Sequence, residues 1–373
     1  MFKFDLDNFK RYFCNDKNYE IPRRWDGKDF VKTLQDCFEC YNKGLVGSLW
    51  FSSNEVLPMS GETEEICRSI IDTLNAYLDG KESAAFDIFY GCFKKLMKTP
   101  LLVDQSYYLQ KKELISKPSR TVALYRVRQV EENREYGKSD IFHVPFDARN
   151  KISTNRFSIS GYPSLYLSSS IDLCLEESEY RINLGRYIAS KYVISPIDCK
   201  NIEILDLAIK PSDFALADNK DIRSDTKRYK RQYQVKQQLI NNPDFIYKYI
   251  LWYPIILACS FMRINRKDPF SVEYVIPQLL MQAIRIYNEN KIVGIRYFSC
   301  SSVIASDMGF NYVFPTKMDK KENKYCSELR SIFKMTDPVF LHEYTDIRYA
   351  DLALNNMKLD YLIVENPEKE NTN

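Results

Sequence analysis

Histidine is the scarcest chemistry-bearing residue in this chain: 373 residues hold two, His143 and His342, far apart in sequence. Metal centres built on several imidazoles are therefore excluded, and a Ser-His-Asp triad would have to use one of these two. An arginine four to six residues ahead of a histidine, the pair that helical ribonucleases need, is missing at both. Glycine is sparse too, with 11 residues, and neither G-x-G-x-x-G nor G-x-x-x-x-G-K-[ST] occurs, so the usual phosphate cradles are absent. Long apolar runs are lacking. The longest, Ile250 to Phe261, spans about twelve residues with Pro254 inside it, where a membrane span needs about 20. Charge of one sign is not in excess either: 53 basic against 50 acidic residues leave +3. That balance removes the main electrostatic argument for a nucleic-acid or anionic-membrane partner.

Ten cysteines are present, but the N-terminus, MFKFDLDNFKRYF, has charges throughout and no apolar core of a secretory signal. The reading is a cytoplasmic protein whose thiols are reduced, small, buried groups. Cys37-x-x-Cys40 lacks a second pair to complete a structural zinc site and reads as two buried thiols. Lys227, Arg228, Lys230, Arg231 and Lys236, interleaved with Tyr229 and Tyr233, read as a solvated helix face in a chain of such balanced charge. Aromatics are what the chain has in plenty: 27 Tyr and 22 Phe can build a large core and leave rings for a site.

The stretch 1–117 reads as a helical N-terminal domain, regulatory or oligomerising. Phe30, Val31, Leu34, Cys37, Phe38 and Tyr41 recur at helical spacing. A second helix is expected over Glu62–Leu78, with Ile66, Ile70, Ile71, Leu74 and Leu78 on its apolar face. Ser83 or a neighbour caps a third, carrying Phe86, Phe89, Tyr90, Phe93 and Leu96 and stopped near Pro100. From 118 to 366 the pattern changes to a mixed domain with a helical insertion near 210–262. Strands are expected at Thr121–Val130, Ser164–Ser168, Tyr187–Ile194, Ile202–Leu207, Ile292–Tyr297 and Asn311–Phe314. Helices are expected at Ile171–Arg181, Phe245–Met262 with a kink at Pro254, and Pro277–Tyr287. The tail 367–373 is polar and reads as disordered.

One stretch is unusual. From Asn155 to Glu177 it places Arg156, a glycine turn at Gly161, Tyr166 on a short strand, then Ser170 and Glu177 around a helix. Glu273-Tyr274, Gly294-Ile295-Arg296-Tyr297-Phe298-Ser299 and Asn311-Tyr312 follow. This order resembles the RES family, named for its Arg, Glu and Ser, over Tyr125-Arg126 to about Pro315. The family's Tyr, with a Ser four residues on and a Glu eleven on, is met by Tyr166, Ser170 and Glu177. The arginine ten residues earlier is Arg156, and the late-strand serine falls on Ser299. Asn155 and Phe157 stand where many members have glycine and tryptophan, and Glu176 beside Glu177 leaves two choices of carboxylate.

The resemblance implies an α+β, ADP-ribosyltransferase-like RES domain behind a helical N-terminal domain. It implies an NAD⁺-consuming toxin or defence effector that cleaves the nicotinamide–ribose bond as a glycohydrolase or phosphorylase. A protein ADP-ribosyltransferase, or a catalytically silent nucleotide- or partner-binding module, are the alternatives. NAD⁺ is then substrate, with no cofactor and no metal, and an antitoxin, a regulatory partner or a second copy of the chain are candidate partners. The chemistry suits the residues. Nicotinamide is already a cationic leaving group and needs no general acid; one carboxylate, Glu177, stabilises the oxocarbenium-like ribose. A guanidinium grips a diphosphate in place of a Gly-rich loop, the role given Arg156 with Arg126 in support. Tyr166 stacks on nicotinamide. Ser170 and Ser299 hydrogen-bond ribose or phosphate.

Overall fold

The computed structural model describes residues 9–14, 16–47, 53–103, 123–131, 134–178, 187–194, 202–215, 235, 238–239, 244–265, 267–287, 292–318, 324–344 and 346–363. The tail beyond 363, the basic cluster at 227–236 and the start of the first expected strand lie outside them. The fold is mixed α and β with a helical N-terminal region. Two compact units make up the chain: Met1–Asp104, Ile152–Tyr162 and Glu203–Pro315 form the first, and Gln105–Lys151, Pro163–Ile202 and Thr316–Asn373 the second. The division therefore runs otherwise than a cut near residue 118, because the N-terminal helices share a unit with the 203–315 stretch.

In chain order the helices α1 Phe30–Gly47, α2 Ser53–Leu78 and α3 Glu82–Leu96 precede strand β1 Ala123–Gln129. A single turn α4 Lys138–Ile141, strand β2 Ser164–Ser168, helix α5 Ile171–Glu177 and strands β3 Tyr187–Ile194 and β4 Glu203–Leu207 follow. Then come α6 Pro211–Ala215, α7 Phe245–Ala258, α8 Val275–Ile286, β5 Ile292–Tyr297, α9 Val303–Met308 and β6 Asn311–Pro315. The chain continues through α10 Ser327–Ile332, β7 Phe333–Met335, β8 Val339–Phe340, α11 Ile347–Asn356 and β9 Asp360–Tyr361. Nothing after Pro315 was expected from periodicity; these strands have two or three residues, too few to show alternation. Helix α2 starts nine residues before its expected Glu62, and α3 is entered from Lys81 without a side-chain cap instead of from Ser83. Leu78, expected inward, is half-exposed at the end of α2.

The first unit is organised around α7, which is apolar on all sides and buried from Phe245 to Ala258 except for Tyr247 and Lys248. Such a helix hides its aromatic tips, and each finds a carbonyl. Tyr253 Oη donates to Tyr19 O at 2.9 Å, Trp252 Nε1 to Thr99 O at 3.0 Å and Tyr249 Oη to Ile209 O at 3.2 Å. Pro254 has no N–H, so the carbonyl of Ile250 one turn earlier loses its helical donor. Tyr41 Oη of α1 supplies one instead, at 2.8 Å. Asp29 caps α1 by accepting from Lys32 N at 2.9 Å, and the helix buries Phe30, Leu34, Cys37, Phe38 and Tyr41 as its spacing predicts. Of the Cys37/Cys40 pair, Cys37 is buried and Cys40 half-buried.

Strands β4 and β5 are parallel, and β6 runs antiparallel to β5. Leu101–Val103 covers the other edge of β4, with Val103 N to Ile204 O at 2.9 Å and Asp206 N to Leu101 O at 2.8 Å. Gly294 is required on β5: a Cβ there would come within 2.6 Å of Val313 O. Asp206 and Arg296 lie opposite each other in register and form a buried pair, Nε to Oδ1 at 2.9 Å with a second bond from Nη2 to Oδ2. Phe310 covers the guanidinium at 4.5 Å.

In the second unit β2, β1, β3, β7 and β9 follow one another antiparallel, and β8 also pairs with β3. Tyr125, Ala189 and Tyr187 line one face of this sheet and pack with Ile171, Cys174 and Leu175 of α5 and Ala350 and Leu354 of α11. His143 is buried. Its Nδ1 meets Val144 O at 2.8 Å and its Nε2 accepts from Cys326 N at 2.9 Å, which fixes the neutral tautomer with the proton on Nδ1.

Candidate functional site

Four of the six residues singled out by the sequence fall in the second unit. Arg126 is on the middle strand of β2, β1 and β3, opposite Ser190. Its neighbour Tyr125 enters the apolar cluster beneath α5, so alternation sends Arg126 to the other face. The Nη1 nitrogen is fully buried and has no hydrogen-bond partner among the described residues. Burial holds its pKa below the usual arginine value; Tyr192, Cys174 and Tyr166 oppose that effect and Arg128 adds to it. Arg126 as a whole is half-buried, but a donor nitrogen cut off from water without an acceptor is costly, and an anionic ligand is one way to meet the cost.

Tyr166 sits half-buried on β2, within electrostatic range of Arg126. Ser170 leaves β2 with extended backbone and caps α5, its Oγ accepting from Leu173 N at 3.3 Å. That bond uses one lone pair of the hydroxyl and does not use its O–H. Glu177 ends α5 and is exposed, as is Glu176, so the choice between the two carboxylates stays open. Arg128 escaped the sequence reading, although period two places it on the same face as Arg126.

Arg156 and Ser299 belong to the first unit. The glycine turn forms as expected: Gly161 has φ +71° and Tyr162 N returns to Ile159 O at 2.9 Å. Helix α8 holds the segment, with Gln278 Nε2 to Asn155 O at 3.2 Å and the Arg285 guanidinium 3.9 Å over the Tyr162 ring. Arg156 is buried and both its Nη atoms are engaged, with Cys259 O at 3.1 Å and Phe261 O at 2.7 Å. Its guanidinium also lies 4.8 Å over the Tyr274 ring. Ser299 is fully buried; its Oγ lies 2.8 Å from Ser301 Oγ and accepts from Ser301 N at 3.2 Å. Among the described residues no group of three or more His, Cys, Asp or Glu is placed to hold a metal ion. None of the described helices is long and apolar enough to cross a membrane.

The chain is similar to a protein of Bacillus subtilis (strain 168) named "Putative toxin YopC", at 31% identity over 287 residues. The similarity covers 74% of this chain and 58% of that protein's length, so the chain spans a little over half of the relative it matches. No protein-family profile matches the chain, and no solved structure matches it. Arg126 Nη1 in the second unit is buried and can take an anion; Arg156 in the first unit has two of its five N–H donors on main-chain carbonyls.

Proposed function

We propose that this chain is an NAD⁺-consuming enzyme of the RES kind, with an ADP-ribosyltransferase-like domain, acting as a toxin or defence effector. The observation that carries the reading is Arg126. Its buried, unpartnered Nη1 beside Tyr166 is the arrangement that a diphosphate and an aromatic ring would fill. The toxin name of the Bacillus subtilis relative supports the biological role. The grip on the diphosphate, expected of Arg156, falls more readily to Arg126, because Arg126 Nη1 has no partner among the described residues while each Nη of Arg156 already donates to a carbonyl.

In the reaction the bond between ribose C1′ and the nicotinamide nitrogen breaks, and its electron pair leaves with nicotinamide as a neutral base. Glu177 stabilises the cationic ribose. Water adds to C1′ and loses a proton, giving ADP-ribose; phosphate in place of water gives the 1″-phosphate. A protein side chain as acceptor would make the chain an ADP-ribosyltransferase.

The test incubates the full chain with labelled NAD⁺, with and without phosphate, beside Glu177→Gln and Glu176→Gln. Nicotinamide release by the parent, lost by about 10²-fold or more in one Gln variant, is the expected result. Free ADP-ribose, its phosphate ester or labelled protein then names the acceptor. Binding of NAD⁺ without release would make the chain a silent nucleotide-binding module, and neither binding nor release would sink the reading.

A further inference from the structure

We infer that Arg156 is a positioning residue that locks the turn after α7 and, through that turn, sets the Ser299 loop, without touching substrate. The role of Ser299 rests on the NAD⁺ reading above; the lock does not.

A helix end leaves carbonyls without helical donors, and cations are favoured there. After α7 ends at Ala258, three consecutive carbonyls are each answered from elsewhere in the chain. Cys259 O takes Arg156 Nη1 at 3.1 Å, Ser260 O takes Arg23 N at 3.0 Å, and Phe261 O takes Arg156 Nη2 at 2.7 Å. Met262 N returns to Arg23 O at 2.8 Å, closing a two-residue bridge with the N-terminal region. The planar fork of one guanidinium thus spans two carbonyls two residues apart, which an ammonium with its single nitrogen does not reproduce.

The same turn touches the Ser299 loop. The Cys300 thiol lies 4.0 Å from Cys259 O, the carbonyl that Arg156 also holds. Phe157, next to Arg156, is fully buried and packs at 4.7 Å against Tyr297, two residues ahead of Ser299. Two adjacent side chains of one segment therefore fix both ends of the path from the turn to Ser299. The outer side of the turn is closed by Phe30 of α1 at 5.0 Å from Phe261.

The experiment has two arms, both on the full chain. Hydrogen exchange without NAD⁺ follows the amides of Arg23, Met262 and Ser301 in Arg156→Ala and Arg156→Lys. Exchange faster by about tenfold or more in the Ala variant and by less in Lys, with β1 amides unchanged, is expected. Unchanged exchange at all three amides overturns the lock. If the Ala variant does not fold, the Lys variant carries the arm alone. The second arm compares Arg156→Lys, Ser299→Ala and the double variant in NAD⁺ turnover. A positioning role lowers kcat with KM moved less than about twofold, and the double variant loses no more than Ser299→Ala alone. A KM raised about tenfold at unchanged kcat, or losses that add, returns Arg156 to the substrate and overturns the proposal. If the parent chain turns over no NAD⁺, that failure belongs to the reading of function, and exchange alone decides the lock.

Discussion

The two units surround their arginines differently. In the first, Arg156 finds two carbonyls and an aromatic face, and Arg296 finds a carboxylate in register on the next strand. In the second, Arg126 has a buried Nη1 with no hydrogen-bond partner among the described residues. Trp25 Nε1 and Arg263 Nε of the first unit are likewise buried without a partner among the described residues, while the carbonyl that Pro254 leaves open is answered by Tyr41. Arginines held by carbonyls or a carboxylate fix the chain, and a buried nitrogen without an acceptor, as at Arg126, is where a ligand has something to gain. Sequence position does not separate the two classes, since all three residues sit in motif-like surroundings.

The largest effect that sharpens this contrast is expected at the Asp206–Arg296 pair. Arg296→Met strands a buried carboxylate that still accepts from the Ala208 amide, at 3.0 Å. The loss is expected to be about 3–5 kcal/mol in urea unfolding. Adding Asp206→Leu removes the stranded charge and restores most of it. If Arg296→Met alone were neutral, saturation would not be what marks a structural arginine here.

How much of this was readable in the sequence follows from what each feature depends on. The strands Ser164–Ser168, Tyr187–Ile194 and Ile292–Tyr297 were legible to the residue, because five to eight residues suffice to show β-branched and aromatic enrichment. The buried face of α1 was legible for the same local reason. The interleaving of the units was not: Tyr41 meeting Ile250, or Arg23 meeting Ser260, joins residues more than two hundred positions apart, and no local pattern records that. For the candidate site, the motif spacing singled out Arg126, Tyr166 and Glu177, which fall in one unit, and Arg156 and Ser299, which fall in the other. The partners of Arg156 could not be read from the sequence, because they are main-chain carbonyls, which carry no side-chain signature. Ser170 looked like a ligand group, although a serine between a strand and a helix is what a cap requires.

A smaller effect is expected from His143, the satisfied donor and acceptor of the second unit. Burial lowers its pKa from 6.5 to about 4. The unfolded chain therefore takes up a proton in the window between those values while the folded chain does not. Stability falls as the pH drops from about 6.5 to about 4, by about 3 kcal/mol in all, and this group adds no further loss below that. Urea midpoints across that window for the parent and for His143→Gln measure the difference. Equal slopes in the two chains would mean that the ring is not held neutral.

The smallest effect on stability is the most informative. Arg126→Met keeps the length and much of the volume of the side chain and removes a buried nitrogen, Nη1, that has no hydrogen-bond partner among the described residues. Its ΔG of unfolding is expected to stay within about 0.5 kcal/mol of the parent or to rise, as at functional sites that trade stability for binding. Thermal melts with NAD⁺ complete the test, since a ligand that binds the folded state raises Tm in proportion to its occupancy. That rise should be present in the parent and gone in Arg126→Met. A drop of about 2 kcal/mol or more in the variant without ligand would show that Arg126 is answered by the fold after all. The two units would then no longer differ in how they treat a buried arginine, and the site would have to be sought elsewhere.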